Sequence, residues 1–177
     1  MAEIGQRVVV TGLAGSGKST FAKKLAASTG LPLVHLDLEF WQPGWTAPSD
    51  DEWAAIQQRA LGADRWIADG NYADTLPLRL ERADTVVVLR TPWPVCFVRA
   101  LRRGLRRPAG TTLPDGCPES ARDRLRAEWG VAGRVVKKRR SEPAREAELI
   151  DRHGRHATVH AFRSSRAANA FLATVAA

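Results

Sequence analysis

The sequence is poor in lysine, cysteine and tyrosine. Of its 27 basic residues only five are lysine and 22 are arginine, so a lysine at a special position is unlike background. Its two cysteines, Cys96 and Cys117, have neither metal nor redox spacing. That excludes a cysteine-built metal centre or a disulfide framework and predicts structural thiols in a reduced, cytoplasmic protein. No apolar run approaches the ~20 residues that span a bilayer. Met1-Ala2-Glu3-Ile4 is read as entering a strand almost at once, which predicts no signal peptide. Acidic residues are outnumbered 19 to 27, for a net charge of +8, which suits an anionic partner without choosing among nucleotide, phosphorylated metabolite and nucleic acid. Repeats and low-complexity segments are absent. At 177 residues, 44% of them hydrophobic, the chain holds one core and predicts a single domain.

What is present centres on Gly12-Leu13-Ala14-Gly15-Ser16-Gly17-Lys18-Ser19, followed by Thr20. It fits G-x-x-x-x-G-K-S/T at every fixed position. Before it, residues 6–11 read as a buried β-branched strand. After it, Ser19 to Thr29 reads as a helix stopped by Gly30. In that context the glycines let main-chain N–H groups surround phosphate oxygens at a helix N-terminus. Lys18 reaches the β- and γ-phosphates and the Ser19 hydroxyl binds Mg²⁺. The nucleotide set is therefore Gly12, Ala14, Gly15, Ser16, Gly17, Lys18, Ser19 and Thr20, with ATP and Mg²⁺.

A second strand, Leu31 to Leu36, ends at Asp37-Leu38-Glu39-Phe40-Trp41. In an open parallel sheet ligands bind beyond the carboxyl ends of strands. An extended tip would put Asp37 and Glu39 on one side, to accept a hydroxyl proton or hold Mg²⁺ through water; the alternative is a polar strand end. Trp41-Gln42-Pro43-Gly44-Trp45 is a turn whose tryptophans stack a flat substrate or pack the core. Ser49 and Glu52 form a capping box on a helix with apolar Trp53, Ile56, Ala60 and Leu61. A third strand, Arg65 to Asp69, ends in a carboxylate as a Walker B strand does, making Asp69 a second Mg²⁺ candidate. Asn71 and Tyr72 follow as acceptor contacts or turn formers, with Trp45 also on the acceptor side. Arg79 and Arg82 read as a solvated face or a substrate clamp.

Asp84 to Arg90 is a fourth strand, and Thr91-Pro92-Trp93-Pro94 opens a helix. Its apolar stripe is Phe97, Val98, Leu101 and Leu105. Arg99, Arg102, Arg103 and Arg106 share the other side, either solvated or facing phosphate, with Arg99 and Arg103 the catalytic candidates and Arg103 also on the nucleotide. Pro108 to Pro118 predicts a mobile loop within an arginine-rich lid spanning about 99–126. A helix from Glu119 carries Leu125, Trp129, Ala132 and Val136 and ends in Lys137-Lys138-Arg139-Arg140. That cluster lacks interleaved aromatics, which leaves nucleic acid a lesser partner class. A helix over 142–152 with Ser141 as N-cap, a fifth strand over 156–162 and a last helix with Ala168, Phe171, Leu172 and Val175 complete the chain. His153, His156 and His160 lack ligand partners and read as structural.

Strands alternating with helices predict an α/β fold, a parallel sheet covered on both faces. The glycine loop, the Asp-ended third strand and the arginine-rich lid together resemble the P-loop kinases of the adenylate kinase type. The combination of residues 15–20, His35-Leu36-Asp37, residues 41–45, Asp69-Gly70-Asn71-Tyr72 and Gly116-Cys117-Pro118-Glu119 is similar to the bacterial proteins labelled topology modulation protein, or adenylate-kinase-like ATPase. The resemblance implies a three-layer α/β/α P-loop NTPase fold, sheet order 2-3-1-4-5, and ATP with Mg²⁺. It also implies that Arg163 to Arg166 stands in place of a base-contacting loop. Asn71-Tyr72 replaces the Phe-Pro-Arg of nucleotide kinases, so a monophosphate clamp is missing; no Asn-Lys-x-Asp supports guanine selectivity.

The leading expectation is a kinase that moves the γ-phosphoryl group of ATP to a small-molecule hydroxyl or phosphate, with Asp37 orienting or deprotonating the acceptor. The alternatives are an ATP-hydrolysing regulatory or nucleic-acid-associated protein, and a nucleotide-binding module without turnover.

Overall fold

The computed structural model describes residues 4–105 and 121–175. Val8, Val9 and Val10 of β1 (Arg7–Gly12) and Val86, Val87 and Val88 of β4 (Thr85–Leu89) have no exposed surface. Such runs, apolar on both faces, form central strands of a parallel sheet. β2 (Leu33–His35) and β3 (Trp66–Asp69) lie on one side of β1, and β5 (Thr158–Phe162) lies beyond β4. The order is β2-β3-β1-β4-β5, the order that the resemblance implies, and every pairing is parallel, as the alternation of strands and helices predicts.

Side chains alternate across a strand, so one strand feeds both faces. Val8 and Val10 pack with Phe21 and Leu25 of α1 (Lys18–Thr29) and Leu172 of α8 (Ser165–Val175). Val9 instead packs with Leu76 and Leu80 of α4 (Leu76–Leu80) and Ile150 of α7 (Ser141–His153). The result is three layers. Val10 pairs with Asp69, which also pairs with His35, so the carboxyl ends of β1, β2 and β3 meet on one edge.

Several local expectations are corrected. The tip after β2 is not extended: Leu36–Phe40 is helix α2. Asp37 and Glu39 are therefore about 200° apart around its axis and not side by side. In α3 (Asp50–Ala60) the capping box is present, with Glu52 N–H donating to Ser49 Oγ (3.3 Å) and Ser49 N–H to Glu52 Oε2 (2.9 Å). The buried positions of α3 are Trp53 and Gln57; Ile56 and Ala60 are half-buried. On α5 (Trp93–Leu105) the buried residues are Cys96 and Ala100, while Val98 is exposed. Packing of α5 on α6 (Ala121–Lys138) rotates the apolar stripe, and α6 buries Ala132 and Val135 while Trp129 is exposed. Ser141 begins α7 instead of capping it; Arg140 is the N-cap residue. Strand β5 starts at Thr158, later than expected. Residues 106–120, with Arg106, Cys117 and most of the expected lid, lie outside the described residues. No helix among the described residues is long and apolar enough to cross a membrane.

Candidate active site

The loop from β1 to α1 is drawn in tightly by its neighbours. A Cβ at Gly12 (φ 138°) would lie 2.5 Å from the Leu89 carbonyl oxygen, and one at Gly15 (φ 80°) would lie 2.4 Å from that of Cys96. Only glycine fits both the conformation and the space. Ser16 N–H donates to Leu13 O (3.0 Å). The Ser16 carbonyl accepts from Thr91 Oγ1 (3.0 Å) and Arg99 Nη1 (3.2 Å). Ser16 Oγ is buried without a partner. A polar atom left buried like this costs about 1–3 kcal/mol, which a ligand oxygen would recover. A helix N-terminus, one lysine and this hydroxyl form a donor set that fits a magnesium-bound triphosphate. Ser19 and Thr20 are exposed at the start of α1.

Beside the loop is a cavity of about 280 Å³ whose walls include Thr20, Phe21, Lys24, Arg99, Ser165 and Asn169. Lys24 Nζ donates to Asn169 Oδ1 (3.0 Å), and Arg99 Nη2 donates to Ser165 Oγ (3.1 Å). Within the 163–166 segment the serines line this cavity, whereas Arg163 and Arg166 do not.

On the other side of the edge, Asp69 Oδ2 lies 2.9 Å from His35 Nδ1, and Oδ1 is buried without a partner. Asp37 is exposed, and its Oδ1 accepts from the Tyr72 hydroxyl at 2.8 Å. Burial, and then the Asp37 charge, push the Tyr72 phenol far above its ordinary range, so it stays protonated as a donor. Glu39 is exposed. Phe40 is a hub of rings: Trp41 and Trp53 meet it edge-on at 5.0 Å each, and Tyr72 lies at 4.9 Å. Trp45 joins through Trp41 at 5.7 Å. Tyr72 (φ 26°) and Trp45 (φ 62°) are the positive-φ residues other than glycine among the described residues. Strain of this sort costs about 1–3 kcal/mol each and gathers at functional sites.

The arginines are divided. Arg79, expected as a solvated face or a clamp, is neither: it is 1% exposed and holds up the turn after β3. Its Nη1 donates to Gln57 Oε1 (2.5 Å), and its Nη2 to the Asn71 carbonyl (2.8 Å). Burial lowers its pKa to about 9, which leaves it charged at neutral pH. Arg82 also serves backbone, donating to the carbonyls of Leu61, Gly62 and Ala63. Arg99 sits at the glycine loop. Arg103 instead meets Glu128 of α6 through Nε (2.5 Å) and Nη2 (2.8 Å). Burial lowers its pKa, but the Glu128 bond and charge, with the Asp37 charge, raise it on balance. The row of arginines thus splits between two partners.

No protein-family model matches the sequence, and no curated protein matches it significantly. Among solved structures, the shikimate kinase from Acinetobacter baumannii in complex with shikimate is similar, with a TM-score of 0.57 at 17% identity, over 96% of this chain and 90% of that one. A gluconokinase from Sinorhizobium meliloti matches with a TM-score of 0.44 at 18% identity, over 75% of this chain and 94% of that one. The chain has the fold of the P-loop small-molecule kinases.

Within this fold, sequence reasoning missed two carboxylate contacts next to the loop, one of them buried. Glu146 of α7 is 5% exposed and accepts from Thr11 Oγ1 at 2.5 Å, one residue before the glycine loop. Thr11 also faces Asn71 Oδ1 (3.3 Å), and Asn71 Nδ2 donates to Glu142 Oε1 (2.5 Å). Burial raises the Glu146 pKa even though Arg90 and Lys18 pull it down. Glu146 lies 135 residues from Thr11, so no local spacing announces it. Burial likewise raises Cys96, in keeping with a structural thiol. The described histidines form no metal cluster; His153 Nδ1 meets Glu81 Oε1 (3.1 Å), and His160 packs on Phe171.

Proposed function

We propose that this protein is an ATP- and Mg²⁺-dependent phosphotransferase that moves the γ-phosphoryl group of ATP to a small-molecule hydroxyl. The observation that carries the reading is the opposition, along one sheet edge, of the glycine loop after β1 and the Tyr72-bonded Asp37 carboxylate after β2. The finer likeness to adenylate-kinase-type and topology modulation proteins rests on the motif residues alone.

ATP, a substrate here, would lie with its phosphates on residues 12–20 and its base toward the cavity by Ser165 and Asn169. Mg²⁺ would be held by the Ser19 hydroxyl and, through water, by the unpartnered oxygen of Asp69. When bound, the ion neutralises charge on the phosphates and aligns the transferring group. Tyr72 orients Asp37 by holding Oδ1, which leaves Oδ2 for the acceptor hydroxyl. The acceptor O–H proton passes to Asp37 as its oxygen bonds the γ-phosphorus and the bond to ADP breaks. Lys18 and Arg99 stabilise the charge that gathers on the transferring group. A bare nucleotide-binding module would leave Asp37 and Tyr72 without work.

The test is ADP release from Mg-ATP across nucleosides, nucleotides, sugars and antibiotics, with Lys18→Ala as control. At least one acceptor class should raise the wild-type rate tenfold or more. A rate that no acceptor changes would remove the kinase reading in favour of an ATPase.

A further inference from the structure

Glu146 is a buried carboxyl group that the proposed transfer leaves without a role. It is 5% exposed and stands on α7. Its contacts run in a line. Thr11 Oγ1 lies 2.5 Å from Glu146 Oε1 and 3.3 Å from Asn71 Oδ1, and Asn71 Nδ2 lies 2.5 Å from Glu142 Oε1. Thr11 directly precedes the glycine loop. Asn71 directly precedes Tyr72, whose hydroxyl holds Asp37. The line therefore ties both sides of the sheet edge to one helix.

Counting protons along the line fixes its direction. A hydroxyl has one proton to donate and an ionised carboxylate has none. The bond from Nδ2 to Glu142 sets the Asn71 amide so that its oxygen, an acceptor, faces Thr11. With Glu146 ionised, the single Thr11 proton has two acceptors and satisfies one. The charged oxygen is nearer and is the stronger acceptor, which leaves Asn71 Oδ1 facing a lone pair. With Glu146 protonated, the carboxyl donates to Thr11, Thr11 donates to Asn71, and Asn71 donates to Glu142. Every contact is then satisfied, and bonds aligned head to tail strengthen one another. The surroundings agree. Burial, the largest influence on Glu146, favours the acid, as does Glu142 on the same helix; the Thr11 bond, Arg90 after β4 and Lys18 of α1 oppose it, and the pKa is raised on balance.

We propose that Glu146 is a positioning residue that acts as a hydrogen-bond donor: the line Glu146–Thr11–Asn71–Glu142 sets the turn carrying Tyr72, and so Asp37, against the glycine loop. The inference rests on the phosphotransferase reading and adds to it a residue that acts through Asn71 and Tyr72. Its proton stays in the line and takes no part in the transfer.

The single tyrosine of the chain makes the test direct. Full-length protein labelled at the ring carbon that bears the hydroxyl gives one carbon resonance, which reports the Tyr72–Asp37 bond with or without substrates. Glu146→Gln keeps a donor toward Thr11 and should leave that resonance in place at neutral pH. Its kcat, with Mg-ATP and the most active compound of the acceptor panel above, should match wild type. Glu146→Ala and Thr11→Val break the line at two points. Each should move the resonance and lower kcat about fivefold or more, because misplacing a reacting group is costly. KM for Mg-ATP should hold, since Thr91 and Arg99 support the loop separately. In the infrared, wild type at neutral pH should show a protonated-carboxyl band that Glu146→Gln lacks. Thermal melts check folding, and the Glu146→Gln and infrared results decide alone where a truncated variant does not fold. A Glu146→Gln that loses as much as Glu146→Ala, or a wild type without that band, means that a carboxylate is required; either result overturns this proposal while the kinase reading stands. An unmoved resonance and rate in Glu146→Ala and Thr11→Val overturns it as well. Wild-type turnover that no acceptor raises removes the kinase reading, and with it any reaction for Glu146 to position.

Discussion

The two sides of the sheet edge are built from different material. The proposed nucleotide side is main chain: a loop whose shape is set by glycines at Gly12 and Gly15 and held through the Ser16 carbonyl by Thr91 and Arg99. The proposed acceptor side is side chain: a carboxylate on α2, tryptophans in a turn, and a phenol after β3 whose turn is held by the buried Arg79. Main-chain recognition reads any triphosphate, whereas a side-chain surface reads one chemical class. A fold can therefore keep the first side and vary the second, which is how sites on shared folds diverge.

Breaking one side while sparing the other gives the sharpest tests. Lys18→Ala should have the largest effect, lowering ADP release by about 10²–10³-fold as removal of a preorganised charge stabiliser does. Asp37→Asn should lower kcat by roughly 10²-fold or more, the scale of general-base loss, yet leave Mg-ATP affinity within about twofold because the two sides act independently. A parallel loss of ATP affinity would blur the comparison. Arg79→Met should orphan Gln57 and the turn carbonyls, at about 1–3 kcal/mol for each group. A total near 3 kcal/mol lowers the melting temperature by about 6–12 °C in a chain of this size, and acceptor KM should rise with it. An unchanged melting curve would show that the turn does not depend on Arg79.

The smallest effect concerns Glu146. Its folded pKa lies above the unfolded value, so between those two values the native state binds more protons than the unfolded chain. Stability from this group is therefore present at acid pH and lost as pH rises through the raised pKa. Urea melts of wild type should lose stability across that window, and Glu146→Gln should flatten the slope. Equal slopes in both would contradict a buried, proton-holding Glu146.

The geometry of the β1–α1 loop was legible in the sequence because a phosphate-binding loop demands glycine and lysine at fixed local spacing, and the strand–loop–helix order followed from the β-branched runs of β1 and β4. The capping box at Ser49 was legible for the same reason. The acceptor side was less so. Asp37 was placed by its position after a strand, but α2 was read as extended because five residues hold too little periodicity to declare a helix. Arg79 reads as surface in any window that omits Gln57, 22 residues away. Tyr72 could be named as a candidate, although its pairing with Asp37 spans 35 residues and no spacing rule reaches that far. The α5 and α6 stripes were misjudged where two amphipathic helices bury each other and a small residue such as Ala100 fits closer than Val98.

The central claim is that the β1–α1 loop grips a magnesium-bound triphosphate. Isothermal titration of the folded full chain with Mg-ATP tests it most directly. The account predicts saturable, single-site heat that Lys18→Ala abolishes. A wild-type titration with no heat of binding, on protein whose melting temperature Mg-ATP also leaves unmoved, would contradict it.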